Sequence, residues 1–250
     1  MNSITRAFEK AGVTLNDTVL VSGIGCWGHV DSFLKVNAFH GTHGRALAFA
    51  TGIKLANPEL NVVVALGDGD GVTIGGNHFI HACRRNIDLT AILCNNYNYG
   101  MTGGQYSSTT PEHSITSTSP YGHIEPGFDI CKLAEVSGAR YIARSISENV
   151  TQTAEYIAEA MSKKGFSFVE VLTPCTTHYG RNNAMKHPPE LYRWLKSTVV
   201  PAAAAAKMTE DQLRNKFIIG KLYDRPGQDY GTRYRDEIQA KGIEDLAKKE

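Results

Sequence analysis

The chain has 250 residues, of which 42% are hydrophobic and 20% are charged, and its formal net charge is +1. These values are ordinary for a soluble globular protein that buries a full hydrophobic core. A nearly neutral chain lacks the basic excess typical of proteins that bind nucleic acid or anionic membranes, so we expect neither as a partner.

Targeting and redox signals point to the cytoplasm. No apolar stretch approaches the roughly 18 residues of a membrane span. The first residues, MNSITRAFEKAG, lack the apolar region of a signal peptide. The five cysteines are scattered and odd in number, which argues against a disulfide framework and for a reducing compartment. We therefore predict a cytoplasmic protein.

Five short apolar runs predict strands, namely Thr18–Ser22, Val62–Leu66, Leu89–Cys94, Tyr141–Ala143 and Ser167–Leu172. The runs are continuous rather than alternating, as expected for parallel strands that are buried on both faces. Helical patterns lie between them, at Gly44–Ala56, Gly75–Arg85, Phe128–Ser137 and Val150–Lys163. This alternation predicts an α/β fold, with a mostly parallel sheet and helices on both of its faces.

Two irregular segments complete the chain. Tyr97–Gly127 is rich in Gly, Ser, Thr, Pro, Asn and Tyr, and connections of that length inside a compact domain are often functional. The stretch after Gly180 contains PAAAAAKMTEDQ and a charged end, which favour exposed helices and a tail. We divide the chain into a main domain, residues 1–183, and a C-terminal helical extension, residues 184–250, that we expect to make subunit contacts.

Three predicted strands end in unusual sequence: SGIGC, GDGDG and NNYNYG. Ligands of parallel α/β sheets sit beyond the carboxyl ends of the strands, so the three segments are expected at one site. A glycine-rich turn that opens a helix favours a phosphate, which bare carboxylates would repel. A Mg²⁺ ion between the Asp68 carboxylate and a diphosphate resolves this conflict, with amide oxygens from Asn95-Asn96 beside it. The alternative is that GDGDG is only a turn and Asn95-Asn96 only a strand-end cap.

A GDG followed some 25 residues later by NN resembles the signature of thiamine diphosphate enzymes. The longer segments FHGTHGRALAFATGIKLANP, GDGDGVTIGGNHFIHACRRNIDLT, NNYNYGMTGGQYSSTTP and VEVLTPCTTHYGRNN resemble the β subunit of 2-oxoacid:ferredoxin oxidoreductases, in particular the 2-oxoglutarate branch. The resemblance runs from about Thr18 to Asn183. It implies that residues 1–183 form a thiamine diphosphate-binding domain.

The resemblance also implies roles for individual residues. The Mg²⁺ ligands would be the side chains of Asp68 and Asn96 and the backbone carbonyl of Asn98. The cofactor would be bordered by Gly67, Gly69, Asp70, Gly100 and Met101 on the diphosphate side, and by Ile24, Gly25, Cys26, Trp27 and His43 on the thiazolium side. For His43, capping of the following helix is the alternative.

Members of this family carry a 4Fe–4S cluster close to the cofactor. Cys26 and Cys175 match two of its ligand positions, but the other two belong to a CxxC segment that this sequence does not contain. Two thiolates cannot hold a cluster that requires four, so the cluster is not assigned to this chain. Two explanations remain open: a chain that begins late, or a relative without the cluster. Cys83, Cys94 and Cys131 lie in apolar patterns and are expected in the core.

The resemblance implies partners as well. The glutamate that activates the cofactor would come from an α subunit that carries the pyrimidine-binding domain, so the chain alone is expected to be inactive. The reaction would be oxidative decarboxylation of a 2-oxo acid, with coenzyme A taking the acyl group and ferredoxin the electrons. Many relatives have, near the place of His29, a lysine or arginine that could bind a distal carboxylate of the substrate, and His29 is the candidate for that role here. A cluster-free decarboxylase or lyase subunit and a non-catalytic scaffold remain the alternatives.

Overall fold

The computed structural model describes residues 1–239, 241 and 242. Its strands are β1 (Thr18–Ser22), β2 (Asn37–His40), β3 (Asn61–Gly67), β4 (Thr90–Asn95), β5 (Tyr141–Ile146), β6 (Ser167–Leu172), β7 (Val199–Pro201) and β8 (Phe217–Asp224). They form one sheet of order β2-β1-β3-β4-β6-β5-β8-β7. The sheet is parallel from β2 to β5, while β8 runs antiparallel to β5 and β7 runs parallel to β8. The predicted α/β class with a mostly parallel sheet is confirmed.

The α-helices are α1 (Asn2–Ala11), α2 (Ala46–Ala56), α3 (Gly76–Arg85), α4 (Ile130–Ser137), α5 (Val150–Ser162), α6 (Tyr179–Asn182), α7 (Pro188–Thr198), α8 (Ala202–Ala205), α9 (Glu210–Leu213) and α10 (Tyr230–Arg233). A 3₁₀ helix spans Gly28–Phe33, and π-helical turns span Gly69–Ile74 and Tyr234–Gln239. No helix among the described residues is long and apolar enough to cross a membrane.

Helices cover both faces of the sheet, as predicted. Leu47 of α2, Phe79 of α3 and Ala134 of α4 pack in one buried cluster with Val64 and Leu66 of β3. Ile4 and Phe8 of α1 and Ile157 of α5 pack on the opposite face with Val63 and Ala65. Successive residues of β3 thus enter different cores, which explains why its sequence is apolar without alternation.

Several elements differ from the sequence prediction. Helix α1 is not among the predicted helices, although Ile4, Ala7 and Phe8 have helical spacing and are buried, and Gly12 ends the helix in a left-handed conformation with φ 62°. Strand β2 escapes prediction because its four residues are exposed and only partly apolar. Strand β5 continues three residues beyond the predicted Ala143.

The C-terminal segment contains strands as well as the predicted helices. The sequence predicts only helices and a tail after Gly180, yet Phe217–Asp224 joins the sheet as β8. Its pairing with β5 connects the two parts into which we divided the chain at residue 183. That division stays a prediction, and residues 240 and 243–250 of the predicted tail lie outside the described residues.

Candidate functional site

The carboxyl ends of β1, β3 and β4 meet at one edge of the sheet. Ser22, the last residue of β1, is in register with Ala65 of β3, and Gly67, the last residue of β3, is in register with Cys94 of β4. The loops that follow these strands surround a cavity of about 380 Å³. Its lining includes most of the sequence-predicted site residues, namely Ile24, Gly25, Cys26, Trp27, His43, Gly67, Asp68, Gly69, Asp70, Asn96, Asn98, Gly100 and Met101.

Asp68 follows β3 directly and is 2% exposed. Its Oδ2 accepts hydrogen bonds from Ser107 Oγ at 2.5 Å and Thr109 Oγ1 at 3.0 Å, and its Oδ1 accepts one from Asn96 N at 3.4 Å. Burial raises the pKa of Asp68 to about 6, although these hydrogen bonds counteract the rise. A cation beside this carboxylate would favour its ionised form, so the position suits a metal ligand.

Asn96 and Asn98 bring further oxygen atoms to Asp68. The terminal amide atom of Asn96 that faces Asp68 lies 3.2 Å from Asp68 Oδ1, 2.7 Å from the Asn98 carbonyl oxygen and 3.0 Å from Asn98 Oδ1. With nitrogen in that position, the two amide hydrogens are shared among the three oxygens. With oxygen there, four acceptors converge at spacings close to the roughly 2.8–3.0 Å between neighbouring ligands of octahedral Mg²⁺. The donor set therefore fits Mg²⁺.

The residue between the two asparagines has an unusual backbone. Tyr97 adopts φ 64°, a left-handed conformation that is uncommon for a bulky side chain. Its ring is buried and packs against Tyr179, Trp194 and Phe217, and these contacts hold the conformation in place. Tyr97 thus occupies the centre of the turn in which the flanking Asn96 and Asn98 side chains lie close together.

Asp70, the second aspartate of GDGDG, ties other loops together. Its Oδ1 accepts hydrogen bonds from Gly44 N at 2.7 Å, from Ile24 N at 3.3 Å and from His43 Nδ1, which lies 2.7 Å away. Because a carboxylate only accepts hydrogen bonds, the Nδ1 atom of His43 must carry a proton and donate it to Asp70. The structure does not show the alternative capping role of His43, because the N-cap residue of α2 is Arg45 and no side chain caps this helix.

Two glycines have reasons for lacking a side chain, a steric one at Gly69 and a conformational one at Gly25. A Cβ on Gly69 would lie 2.6–2.8 Å from three atoms of the Tyr99 ring, whose hydroxyl donates to the Gly69 carbonyl at 3.2 Å. Gly25 has φ 139°, and no atom lies within 4 Å of the place where a Cβ would stand, because this residue faces the open cavity. The loop can thus bring its backbone close to a ligand.

The predicted cluster cysteines lie at the same edge. A Cβ on Gly100 would be 3.2 Å from Cys26 Sγ, and Asn98 Nδ2 donates to Cys175 Sγ at 3.6 Å. Burial, and secondly the neighbouring Cys175, raise the pKa of the Cys26 thiol. All five cysteines are unpaired. Cys83 and Cys131 are buried as predicted, whereas Cys94 is only partly buried and lines the cavity.

Two further observations concern the predicted ligands. His29 is exposed in the 3₁₀ helix and does not line the cavity, so its predicted contact with substrate stays a prediction. Within the described residues, no group of three or more His, Cys, Asp or Glu side chains is arranged to hold a metal ion. The candidate cation site depends instead on amide and carbonyl oxygens around one carboxylate.

Sequence reasoning missed the residues that hold Asp68 in place. Ser107 and Thr109 come from the long segment Tyr97–Gly127, for which the sequence predicts a function without indicating which residues carry it. The hydroxyl run SSTT is the available signal, since buried carboxylates need such donors. Tyr99 was missed as well, although it lies within the quoted NNYNYG.

Comparison with known proteins identifies the family to which this fold belongs. The family described as thiamine pyrophosphate enzyme, C-terminal TPP binding domain, matches residues 23–171. The chain is 44% identical over 241 residues to the 2-oxoglutarate synthase subunit KorB of Methanothermobacter marburgensis, covering 96% of this chain and 85% of that protein. It is 56% identical over 195 residues to the corresponding subunit of Archaeoglobus fulgidus, covering 77% and 71%. The chain belongs to the KorB family of 2-oxoacid:ferredoxin oxidoreductase β subunits.

A solved structure supports the KorB family assignment. The 2-oxoglutarate:ferredoxin oxidoreductase from Magnetococcus marinus, with 2-oxoglutarate, coenzyme A and succinyl-CoA bound, matches with a TM-score of 0.82 and 30% identity. The match covers 98% of this chain and 88% of that one, so it extends well beyond the cofactor domain. The resemblance drawn from the quoted segments is confirmed.

We expect Gly69→Ala to lower the free energy of unfolding by roughly 1–3 kcal/mol, because the new Cβ overlaps the Tyr99 ring. Urea denaturation measures the change. Gly67→Ala is the matched control, since nothing lies within 4 Å of a Cβ at that position. Equal stability of the two variants would contradict the proposed close contact.

Proposed function

We propose that this KorB-family chain is the thiamine diphosphate- and Mg²⁺-binding subunit of an oxidoreductase that decarboxylates 2-oxoglutarate oxidatively. CO₂ leaves, coenzyme A takes the acyl group, and two electrons pass to ferredoxin. The cluster of oxygen atoms from Asp68, Asn96 and Asn98 carries the proposal. It lies at the strand ends of a thiamine pyrophosphate-binding domain and borders the cavity that would receive the cofactor. The names of the relatives support 2-oxoglutarate as the substrate.

The residues that line the cavity have distinct proposed tasks. Asp68, Asn96 and the Asn98 carbonyl hold the cation, and the backbone around Gly69 and Gly100 borders the diphosphate. The loop from Ile24 to Trp27 and the His43 ring face the thiazolium. When bound, thiamine diphosphate supplies the electron sink that makes decarboxylation of a 2-oxo acid possible.

Other side chains of the cavity would orient the His43 ring and exclude water from the reacting atoms. Asp70 fixes the tautomer of His43, so the orientation of that ring does not depend on the ligand. Ile92, Ile157 and Val171 contribute apolar surface to the cavity wall. Such a wall excludes water and strengthens the electrostatic interactions inside.

Other parts of the reaction require partners. The activating glutamate and the coenzyme A site are assigned to an α subunit with a pyrimidine-binding domain, and ferredoxin is the proposed electron acceptor. We further propose that residues 184–250 contribute subunit contacts. A reducing, cytoplasmic location agrees with five unpaired cysteines.

The residues present do not complete a 4Fe–4S cluster. Cys26 and Cys175 supply two thiolates at the site, whereas Cys83 and Cys131 are buried in the core and Cys94 packs against the core from β4. Four thiolates are required. No electron-transfer step is therefore assigned to a cluster held by this chain alone.

Replacing the central carboxylate tests the cation site. Asp68→Asn keeps the shape but removes the charge, and we expect it to weaken Mg²⁺-dependent binding of thiamine diphosphate at least tenfold, about 1.4 kcal/mol. Isothermal titration of the complex with the α subunit measures this affinity. Asp224→Asn, on the exposed end of β8, is the control. Unchanged affinity in Asp68→Asn would favour the non-catalytic scaffold.

Among the described residues, only Cys26 and Cys175 match positions of cluster ligands, which favours one second candidate, a cluster-free 2-oxoacid decarboxylase subunit. The two functions differ in what they need. We expect anaerobic CO₂ release from 2-oxoglutarate to require both coenzyme A and oxidised ferredoxin, because the electrons must leave. Release that proceeds without any electron acceptor would establish the decarboxylase instead.

His29 tests substrate selection. The imidazole of His29 would bind the distal carboxylate of the substrate by donating an N–H hydrogen bond. Its removal should therefore affect a dicarboxylic substrate more than a monocarboxylic one. We expect His29→Ala to raise the KM for 2-oxoglutarate more than the KM for pyruvate in the reconstituted complex. Equal effects on both would remove His29 from substrate recognition.

A further inference from the structure

A line of buried polar side chains crosses the sheet and ends at Asp68. Arg144 of β5 and Glu170 of β6 are directly opposite each other in the register and are 2% and 1% exposed. Arg144 Nε donates to Glu170 Oε2 at 2.6 Å, and Arg144 also bonds to Asp129, the residue that caps α4. The line follows the order of neighbouring strands, from β5 through β6 and β4 to β3.

Glu170 orients the next residue in the line. Arg144 and Cys131 Sγ, at 3.3 Å, both donate to Oε2, which leaves Oε1 for Asn95 Nδ2 at 2.9 Å. A carboxylate accepts hydrogen bonds and does not donate them, so the nitrogen of the Asn95 amide must face Glu170. The Asn95 oxygen consequently points towards the site.

The Asn95 oxygen acts on two parts of the candidate cation site. It accepts from Tyr97 N at 3.1 Å, inside the turn that carries Asn96 and Asn98. It also lies 2.9 Å from Thr109 Oγ1, which is 3.0 Å from Asp68 Oδ2. The hydroxyl of Thr109 has a single proton for these two acceptors, so the Asn95 oxygen and the Asp68 carboxylate share one donor.

A contribution to stability alone does not explain this arrangement. Buried ion pairs are often no more stabilising than well-packed apolar residues, because both charges lose their hydration. The face of the sheet that holds Arg144 and Glu170 is otherwise built of residues such as Leu66, Leu93 and Ile142. A polar line through an apolar core, ending at the candidate ligands, indicates a role in setting their positions.

We infer that Glu170 is a positioning residue for the divalent cation, and that it acts by fixing the Asn95 amide. Through Thr109, Asn95 then sets the orientation of Asp68. Through the Tyr97 N–H, it sets the position of the Asn96–Asn98 turn. The inference rests on the proposed function, since it concerns the same cation. It gives a role to a residue that does not line the cavity and that the quoted segment VEVLTPCTTHYGRNN contains without any role assigned to it.

Glu170→Gln is the direct test. Arg144 and Cys131 require an oxygen at the ε2 position, so the new amide nitrogen would face Asn95 Nδ2, and two donors would oppose each other. Asn95 would then rotate, and its nitrogen would face Tyr97 N and lose that hydrogen bond. The cation ligands would be displaced without any change at the ligands themselves.

The measurement uses Mn²⁺, which takes the same oxygen ligands as Mg²⁺ and is visible by electron paramagnetic resonance when free. The complex with the α subunit is titrated in the presence of thiamine diphosphate. We expect Glu170→Gln to weaken Mn²⁺ binding about tenfold. This is the lower end of the roughly 10–100-fold loss seen when a direct partner of a metal ligand is removed, because Glu170 acts through Asn95. Asp88→Asn is the matched control, because it breaks a largely buried ion pair with Lys54, 3.0 Å apart, at the opposite end of the strands.

The outcomes separate the inference from the function on which it rests. A Glu170→Gln protein that is less stable, yet binds Mn²⁺ within about twofold of the wild type, would overturn the positioning role. If that variant does not fold, Thr109→Val and Thr109→Ser decide, since only the serine keeps the hydroxyl and only the valine should lose affinity. A wild-type complex without Mn²⁺ binding that depends on thiamine diphosphate would overturn the proposed function itself.

Discussion

The desolvated carboxylate of Asp68 is the group around which the site is organised. A carboxylate that is 2% exposed has lost nearly all its contact with water, and the hydroxyls of Ser107 and Thr109 replace only part of that hydration. The residual cost is reflected in its raised pKa. A divalent cation would offset this cost, so the same burial that disfavours the empty ionised site favours the occupied one.

The amide of Asn96 gives the site two compatible arrangements. With its nitrogen towards Asp68, the two amide hydrogens are shared among the three neighbouring oxygens, and with its oxygen there the four oxygens form a set of cation ligands. A half-turn of one side chain therefore separates the two arrangements, and the backbone of Tyr97 can stay fixed by its aromatic neighbours. The second aspartate, Asp70, serves a different purpose, since it joins the loops after β1 and β2 to the turn after β3.

The parts of the fold that can be predicted from the sequence are those that local pattern determines. Thr18–Ser22 and Ser167–Leu172 have the predicted ends, because buried parallel strands are uninterrupted apolar runs. Strand β2 has no such pattern, since it is an exposed edge strand. Strand β8 is hidden for another reason: it pairs with a strand far away in the chain, with Gly220 opposite Arg144, so no local window contains both partners.

For the site, sequence reasoning identifies the candidate ligands but not the groups that hold them. Asp68 and Asn96 lie at strand ends and belong to a recognisable spacing. Glu170 and Arg144 lie in the middle of strands, where a charged residue usually indicates an exposed face. Only the register that places them side by side shows that they neutralise each other, and register is a property of tertiary structure.

Strand β8 has a consequence for any shortened form of this protein. The match to the cofactor-domain family ends at residue 171, which suggests that the chain could be shortened after β6 without damage to the fold. Removing β8 would leave the hydrogen-bonding groups of β5 open along an entirely buried, apolar-rich strand and would take away the Ile218 carbonyl that accepts from Arg144. Unprotected edges of this kind recruit strands from other molecules, so a trimmed cofactor domain should be recovered mainly as aggregate.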